Sequence, residues 1–207
     1  MRSVFLRILA VGSLALSFVG VGHAQGAWQF PDFAATQVFE SRRADMAMKV
    51  YRFGSNVRIE STATLSTLYV PESSKIYSFT IYPDHSRTCV GMNPEQATML
   101  PGPLALLQGK ILKRKVVGSE VVEGHVSKVE EVSVAQPGGK VIESKVWEAE
   151  DLKGIPVKIE SHLDEITLTA VYRDIVIGTP DATLFSVPDR CIPFEKMGQV
   201  AESRILK

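Results

Sequence analysis

The sequence lacks an excess of charge of either sign. Its 207 residues include 23 lysines and arginines and 23 aspartates and glutamates, so the formal net charge at pH 7 is zero. Domains that bind nucleic acid normally carry a strong excess of basic residues. The composition therefore disfavours a nucleic-acid partner.

Residue patterns typical of catalytic and metal sites are also missing. Apart from His23, the histidines are His85, His125 and His162, which lie far apart without the spacing of zinc ligands. No GxSxG motif and no glycine-rich phosphate loop is present. Clustered acids occur at 130–131, 148–151 and 164–165, where we expect solvated turn residues rather than a general acid and base held across a cleft. The sequence predicts no enzyme, no metal site and no cofactor.

One long hydrophobic run is present, and it lies at the N-terminus. Arg2 and Arg7 precede a run from Ile8 to Val21 without ionisable side chains, and Gly22 and Ala24 supply small residues three positions and one position before a cut after Ala24. A basic start, a short apolar stretch and a small-residue cleavage site are typical of a secretory signal peptide. A membrane anchor is the alternative, but a spanning helix needs about 20 apolar residues.

The predicted signal peptide, residues 1–24, sets the expected compartment. We expect residues 25–207 to form one domain that is exported to the periplasm, with release from the cell as the alternative. No cysteine lies near the cut, so neither a lipid anchor nor any other stable membrane anchor is expected. Export also favours pairing of cysteines, because disulfides persist in oxidising compartments.

The chain has few cysteines, Cys89 and Cys191. An even number in an exported chain predicts one disulfide, here tying the middle of the sheet to the C-terminal segment. It would close a loop of about 100 residues, worth about 4–5 kcal/mol in chain-entropy models. Two buried free thiols are the alternative.

Alternating side chains dominate the rest of the sequence. Met46, Met48 and Val50, for example, share one face of an extended segment, and such alternation predicts half-buried strands. About ten strands with turns every 8–12 residues indicate a mainly β domain with antiparallel neighbours. We expect residues 33–91 and 113–187 to build one continuous antiparallel sheet.

A helical block interrupts this pattern. Asn93 and Pro94 are typical of a helix start and predict a helix over 94–100, and a second short helix begins at Leu104 and ends at Gly109. The block and its surroundings predict an apolar ligand cavity lined by Met92, Met99, Leu104, Leu106, Leu107 and Phe79. The alternative is that these side chains complete the core of a curved sheet.

Several motifs follow one another in an order that resembles a known group of exported bacterial domains. The motifs are GSEVVEGH (118–125), WE (147–148), LKGIPVK (152–158), GTPD (178–181) and LFSVP (184–188). Their order is similar to that of uncharacterised domains related to the LolA/LppX lipoprotein-carrier fold. The resemblance implies one curved antiparallel sheet, an unclosed half barrel, with short helices on its concave face. In the carriers, the space between sheet and helices holds acyl chains, and an amphipathic helix precedes the first strand; 25–31 is too short for it.

Two functions follow as hypotheses. The first is a periplasmic binding or carrier module for a hydrophobic ligand, either a lipid or a lipidated protein. The second is a non-enzymatic envelope scaffold or interaction protein whose core is filled by its own side chains. The oligomeric state stays open.

Overall fold

The computed structural model describes residues 28–39, 46–96, 102–136, 139–163 and 165–197. The predicted signal peptide and Met99 lie outside the described residues. The described part of the chain forms one sheet of twelve strands. The strands are β1 (Phe33–Phe39), β2 (Met46–Phe53), β3 (Asn56–Glu60), β4 (Leu65–Val70), β5 (Lys75–Ile81), β6 (Arg87–Met92), β7 (Lys110–Val122), β8 (His125–Ala135), β9 (Val141–Ala149), β10 (Pro156–Leu163), β11 (Ile166–Ile177) and β12 (Ile192–Pro193).

The sheet consists of two meanders joined in its middle. Strands β1 to β6 pair in chain order, and so do β7 to β11. The first strand of one meander and the last strand of the other, β1 and β11, pair antiparallel, with Val38 opposite Val171. The predicted continuous antiparallel sheet is therefore confirmed, and the sheet is unclosed because β7 and β12 stand at its two ends.

The number of strands is higher than the predicted ten, and one strand runs parallel. Strand β12 has two residues, and Ile192 pairs with Val90 of β6 in parallel. A disulfide joins Cys89 of β6 to Cys191, with the two Cα atoms 4.7 Å apart. The disulfide holds Ile192 and Pro193, which follow Cys191, beside β6. These two residues can then pair with β6 as the short strand β12. The predicted link to the middle of the sheet is wrong, because β6 lies next to the sheet's end.

Apolar side chains on one face of the curved sheet meet in one large core, and a smaller buried cluster is formed by Val129, Trp147, Ala149 and Val157. We call the face that carries the large core the inner face and the opposite one the outer face. The core cluster includes Val50, Ile59, Val134, Ile159 and Ala170, so it draws on strands of both meanders. Trp28 and Phe30, which precede β1, are buried in the same cluster.

A short helix, α1 (Gly102–Leu106), packs on the inner face against β3, β10 and β11, and all five of its residues are buried. It begins two residues earlier than predicted, because Pro103 occupies the first turn, where a missing N–H costs nothing. Gly102 has φ +77°, and an added Cβ would lie 2.9 Å from the Gln37 amide.

The other predicted helix, over 94–100, differs from the structure. Pro94–Gln96 is a 3₁₀ turn, and 97–100 lies outside the described residues. Within the described segments, no helix has the length and apolarity needed to cross a membrane.

We expect the disulfide to contribute strongly to stability, because it closes a loop with a sequence separation of 102. Replacing both Cys89 and Cys191 with serine should lower the free energy of unfolding by about 4–5 kcal/mol, measured by urea denaturation. Thiol titration of the unreduced, denatured wild type should find no free thiol. Two reactive thiols per chain would contradict the pairing.

Helix α1 should contribute through Leu104, which is 0% exposed. Leu104→Ala leaves a cavity in the core and should lower the free energy of unfolding by about 2–5 kcal/mol. Ile166→Ala is the matched control, because Ile166 is 63% exposed, and its cost should stay below about 1 kcal/mol. Equal losses in the two variants would mean that α1 does not dock as described.

Candidate functional site

The leucines of the predicted cavity are part of the buried core. Leu104, Leu106 and Leu107 are all buried, and Leu104 and Leu107 belong to the inner-face cluster. Met92 is partly buried and packs against the same cluster. Their role as the lining of a ligand cavity stays a prediction.

Phe79 lies on the other side of the sheet. Residues paired across neighbouring strands share a face, and Phe79 pairs with Ser66 on one side and Cys89 on the other. Ile76, three residues earlier on β5, belongs to the inner-face core. An odd spacing along a strand places two side chains on opposite faces. The structure thus separates Phe79 from the leucines with which it was grouped.

Polar contacts fix α1 to the sheet in addition to its leucines. The fully buried hydroxyl of Tyr172 donates a hydrogen bond to Gln37 Oε1 over 2.9 Å. Burial raises the pKa of Tyr172, and a hydrogen bond from the Leu104 backbone opposes this effect. The Tyr172–Gln37 bond joins β11 to β1, and movement of α1 away from the sheet would break the hydrogen bond between the Leu104 backbone and Tyr172 as well as apolar contacts.

A charged cluster occupies the inner face of β7, β8 and β9. The Arg114 guanidinium bonds to Glu130 and, over 2.7 Å, to Glu148. Lys128 Nζ lies 2.7 Å from a Glu130 oxygen and 3.0 Å from a Glu148 oxygen. Burial lowers the pKa of Lys128, but its hydrogen bonds to the two glutamates outweigh this and leave it raised. Two cations thus neutralise two anions, and the Trp28 ring covers Arg114 at 4.5 Å.

This cluster corrects one sequence expectation. Glu130 and Glu148 are buried strand residues rather than solvated turn acids. Their neighbours Glu131 and Glu150 are exposed, as expected. Adjacent positions on a strand point to opposite faces, so a pair of acids in sequence does not share one environment.

The candidate site is a groove on the outer face, with a volume of about 670 Å³. Its floor is a row of side chains from β3 to β6, in which Glu60, Ser66, Phe79 and Cys89 lie opposite one another. The segment 183–190, which follows β11, forms a wall above this floor. The lining also includes Arg58, Thr62, Ala63, Thr64, Leu65, Thr80, Ile81, Arg87, Thr88, Thr183, Leu184, Ser186, Pro188 and Arg190. We refer to it as the outer groove.

The segment that forms the wall is held at several points. Arg58 Nη1 donates to the Leu184 carbonyl over 2.9 Å, and the rings of Phe53 and Phe185 lie 5.5 Å apart. Asp181 accepts a hydrogen bond from the Thr183 backbone, which lowers the pKa of Asp181. The disulfide then anchors the end of the segment at Cys191. The outer groove is therefore preformed rather than dependent on a loose chain.

The lining of the outer groove combines arginines, hydroxyl side chains and apolar side chains. Arg58 is engaged by Glu60 at 3.2 Å and by Ser66 at 2.7 Å, with its guanidinium carbon 5.4 Å from the centre of the Phe79 ring. Arg87 and Arg190 are exposed, and neither has an ion pair within the described residues. Cations near apolar side chains such as Phe79 can bind an anion that carries an apolar chain.

Histidine and a free thiol are two groups that catalytic sites often use. The described lining of the outer groove contains no histidine, and its cysteine is oxidised. The carboxylate of Glu60 is occupied by Arg58 and by the Tyr51 hydroxyl. Sequence reasoning missed this site because the strand residues 58–89 and the segment 183–190 that line it are far apart in the sequence. The predicted disulfide was the available signal, since it brings 191 next to β6.

Comparisons with known proteins find similarity among solved structures only. No protein-family model matches the sequence, and no curated protein does so. Among solved structures, the chain is similar to PNGF-II, with 11% identity, a TM-score of 0.42 and coverage of 86% of this chain and 33% of that one. It is also similar to the Pseudomonas aeruginosa MucA/MucB complex, with 13% identity, a TM-score of 0.43 and coverage of 76% and 56%.

A LolA superfamily protein from Nitrosomonas europaea is similar as well. Its identity is 9% and its TM-score 0.35, with coverage of 79% of this chain and 94% of that one. This chain thus spans a third of the PNGF-II chain and little more than half of the MucA/MucB chain. The predicted open antiparallel sheet is the one that the structure has, and within the described residues α1 is the helix that packs on its inner face.

Proposed function

We propose that this protein is an exported, non-enzymatic binding module for an anionic amphipathic ligand of the cell envelope, such as a fatty acid or an acidic lipid. The outer groove is its binding site. Arg87 and Arg190 would meet the negative group, and Phe79, Leu184 and Ile81 would contact the apolar chain.

The observation that carries this proposal is the composition of the outer groove. Roughly half of its lining is apolar, and three arginines face a single glutamate. Because Arg58 is already paired with Glu60, the charge left for a ligand is positive. A purely apolar ligand would leave these arginines without a partner, whereas an amphipathic anion uses both parts of the lining.

The expected location supports the same reading. The N-terminal 24 residues have the composition of a cleaved export signal, and the disulfide suits an oxidising compartment. An envelope protein meets acyl chains with anionic groups as a normal part of its surroundings. Fractionation of cells should find the protein in the periplasm with Gln25 as its first residue.

A scaffold without a ligand is the second candidate, and the filled inner face favours it. Leu104 and Leu107 occupy the space that a carrier would leave open for acyl chains. Under this alternative, the outer groove is a surface feature and the protein acts through its partners. The two candidates differ in whether the purified wild type binds a lipid probe.

Binding of a fluorescent fatty acid tests the proposal. The wild type should bind the probe, and its uncharged methyl ester should bind more weakly because the arginines lose their partner. Arg87→Glu/Arg190→Glu should weaken binding of the acid about tenfold, since two favourable charge contacts become repulsive. Lys196→Glu, an exposed charge reversal outside the outer groove, should leave the affinity unchanged.

Three results bear on this prediction directly. Absence of probe binding by the wild type would refute the proposal in favour of the scaffold. Equal affinity of the wild type and the double arginine variant would also contradict it. Retention of the wild-type unfolding midpoint in the double variant excludes loss of the fold as the cause of weaker binding.

A further inference from the structure

Strand β7 leaves one edge of the sheet open. It is 13 residues long and pairs with β8 on one side, and no described strand pairs with its other side. Of its residues, Val116 is 56% exposed and Val121 is 70% exposed. A long edge strand with apolar side chains and unpaired backbone groups is a template for another strand.

Basic residues and one acid lie on either side of the centre of β7. Lys113, Arg114 and Lys115 precede the centre of the strand, and a single acidic residue, Glu120, follows it. Two copies of β7 that pair antiparallel would bring the basic segment of each copy toward Glu120 of the other. At this position the strand is complementary in charge to a second copy of itself.

A β-bulge makes this pairing consistent with the two faces of the sheet. Lys113 pairs with Ser133 and Glu120 with Ser127, and these two serines share a face of β8 because their spacing is even. The spacing of seven between Lys113 and Glu120 would normally place them on opposite faces. The register shift at Val117 reverses the alternation, so both side chains lie on the outer face.

We propose that β7 is a homodimer interface, in which two copies of this chain pair antiparallel about an axis between Val116 and Val117. Lys113 then lies opposite Glu120 of the second copy, and Arg114 opposite Ser119. Each opposed pair shares one face, as the pairing of antiparallel strands requires. The axis generates the Lys113–Glu120 contact twice, and the two sheets continue as one.

The side chains at the contact suit this role. The Glu120 carboxylate is held from within its own chain, because Trp147 Nε1 donates a hydrogen bond to it over 2.8 Å and Lys145 Nζ lies 3.9 Å from it. Its side chain nevertheless stays 54% exposed. Lys113 is exposed and has no ion pair within the described segments. A positioned anion thus faces a cation that is free to meet it.

A charge-swap cycle tests this interface. Sedimentation equilibrium of the full exported chain, from micromolar to millimolar concentration, should find a dimer. Lys113→Glu and Glu120→Lys should each raise the dissociation constant at least tenfold, because each makes two symmetric contacts repulsive. The double variant Lys113→Glu/Glu120→Lys should restore dimerisation. Lys196→Glu is the control for charge reversal elsewhere, and far-UV circular dichroism checks that each variant is folded.

The outcomes separate this interface from others. Restoration in the double variant supports the proposed register, since only an opposed pair can be repaired in this way. A wild-type monomer at every concentration would overturn the proposal and would mean that the bulge protects the edge. A dimer that neither single variant weakens would overturn it as well, since the copies would then meet elsewhere.

Discussion

The pairing of β1 with β11 is the contact on which the rest of this structure depends. Each meander alone would expose one apolar face to water. The ladder from Phe33 to Phe39 joins the two meanders, so that side chains such as Val50 and Ile159 meet in one core. Antiparallel pairing across about 135 residues of sequence carries a large loop-closure cost, which the shared core and the docked helix α1 must offset. The disulfide acts at the other end of the first meander, where it fixes the chain that leaves β11.

Burial on the inner face directs our proposals to the outside of the sheet. Leu104 and Leu107 from α1, and Trp28 and Phe30 from the N-terminal side, are buried in the core on the inner face. Buried charges at one end of this face neutralise each other. We therefore propose two recognition surfaces elsewhere. One is the outer groove, where the segment 183–190 crosses β3 to β6, and the other is the open edge of β7.

Local patterns in the sequence predicted most of the sheet, and contacts between distant segments explain what they missed. Alternation such as that of Met48 and Val50 reports which side of a strand is buried, so strands were visible in the sequence. The disulfide was predicted from the even number of cysteines in a chain with an export signal. Burial of Glu130 and Glu148 could not be read in this way, because it depends on the cluster that they form with Arg114 of β7 and Lys128 of β8. The outer groove joins Phe79 to Leu184, which only the three-dimensional register brings together. The bulge at Val117 had one local signal, Gly118, because a glycine inside a strand often marks a bulge.

We propose that side chains of the chain itself occupy the inner face and that a ligand binds in the outer groove. Photo-crosslinking with a diazirine-bearing fatty acid, followed by peptide mass spectrometry, tests it most directly. The account predicts label on the peptides that line the outer groove, at 58–66, 79–89 or 183–190. Label on α1, at 102–106, or on the segment 28–35 would contradict it, because a ligand would then displace side chains that this structure assigns to the core.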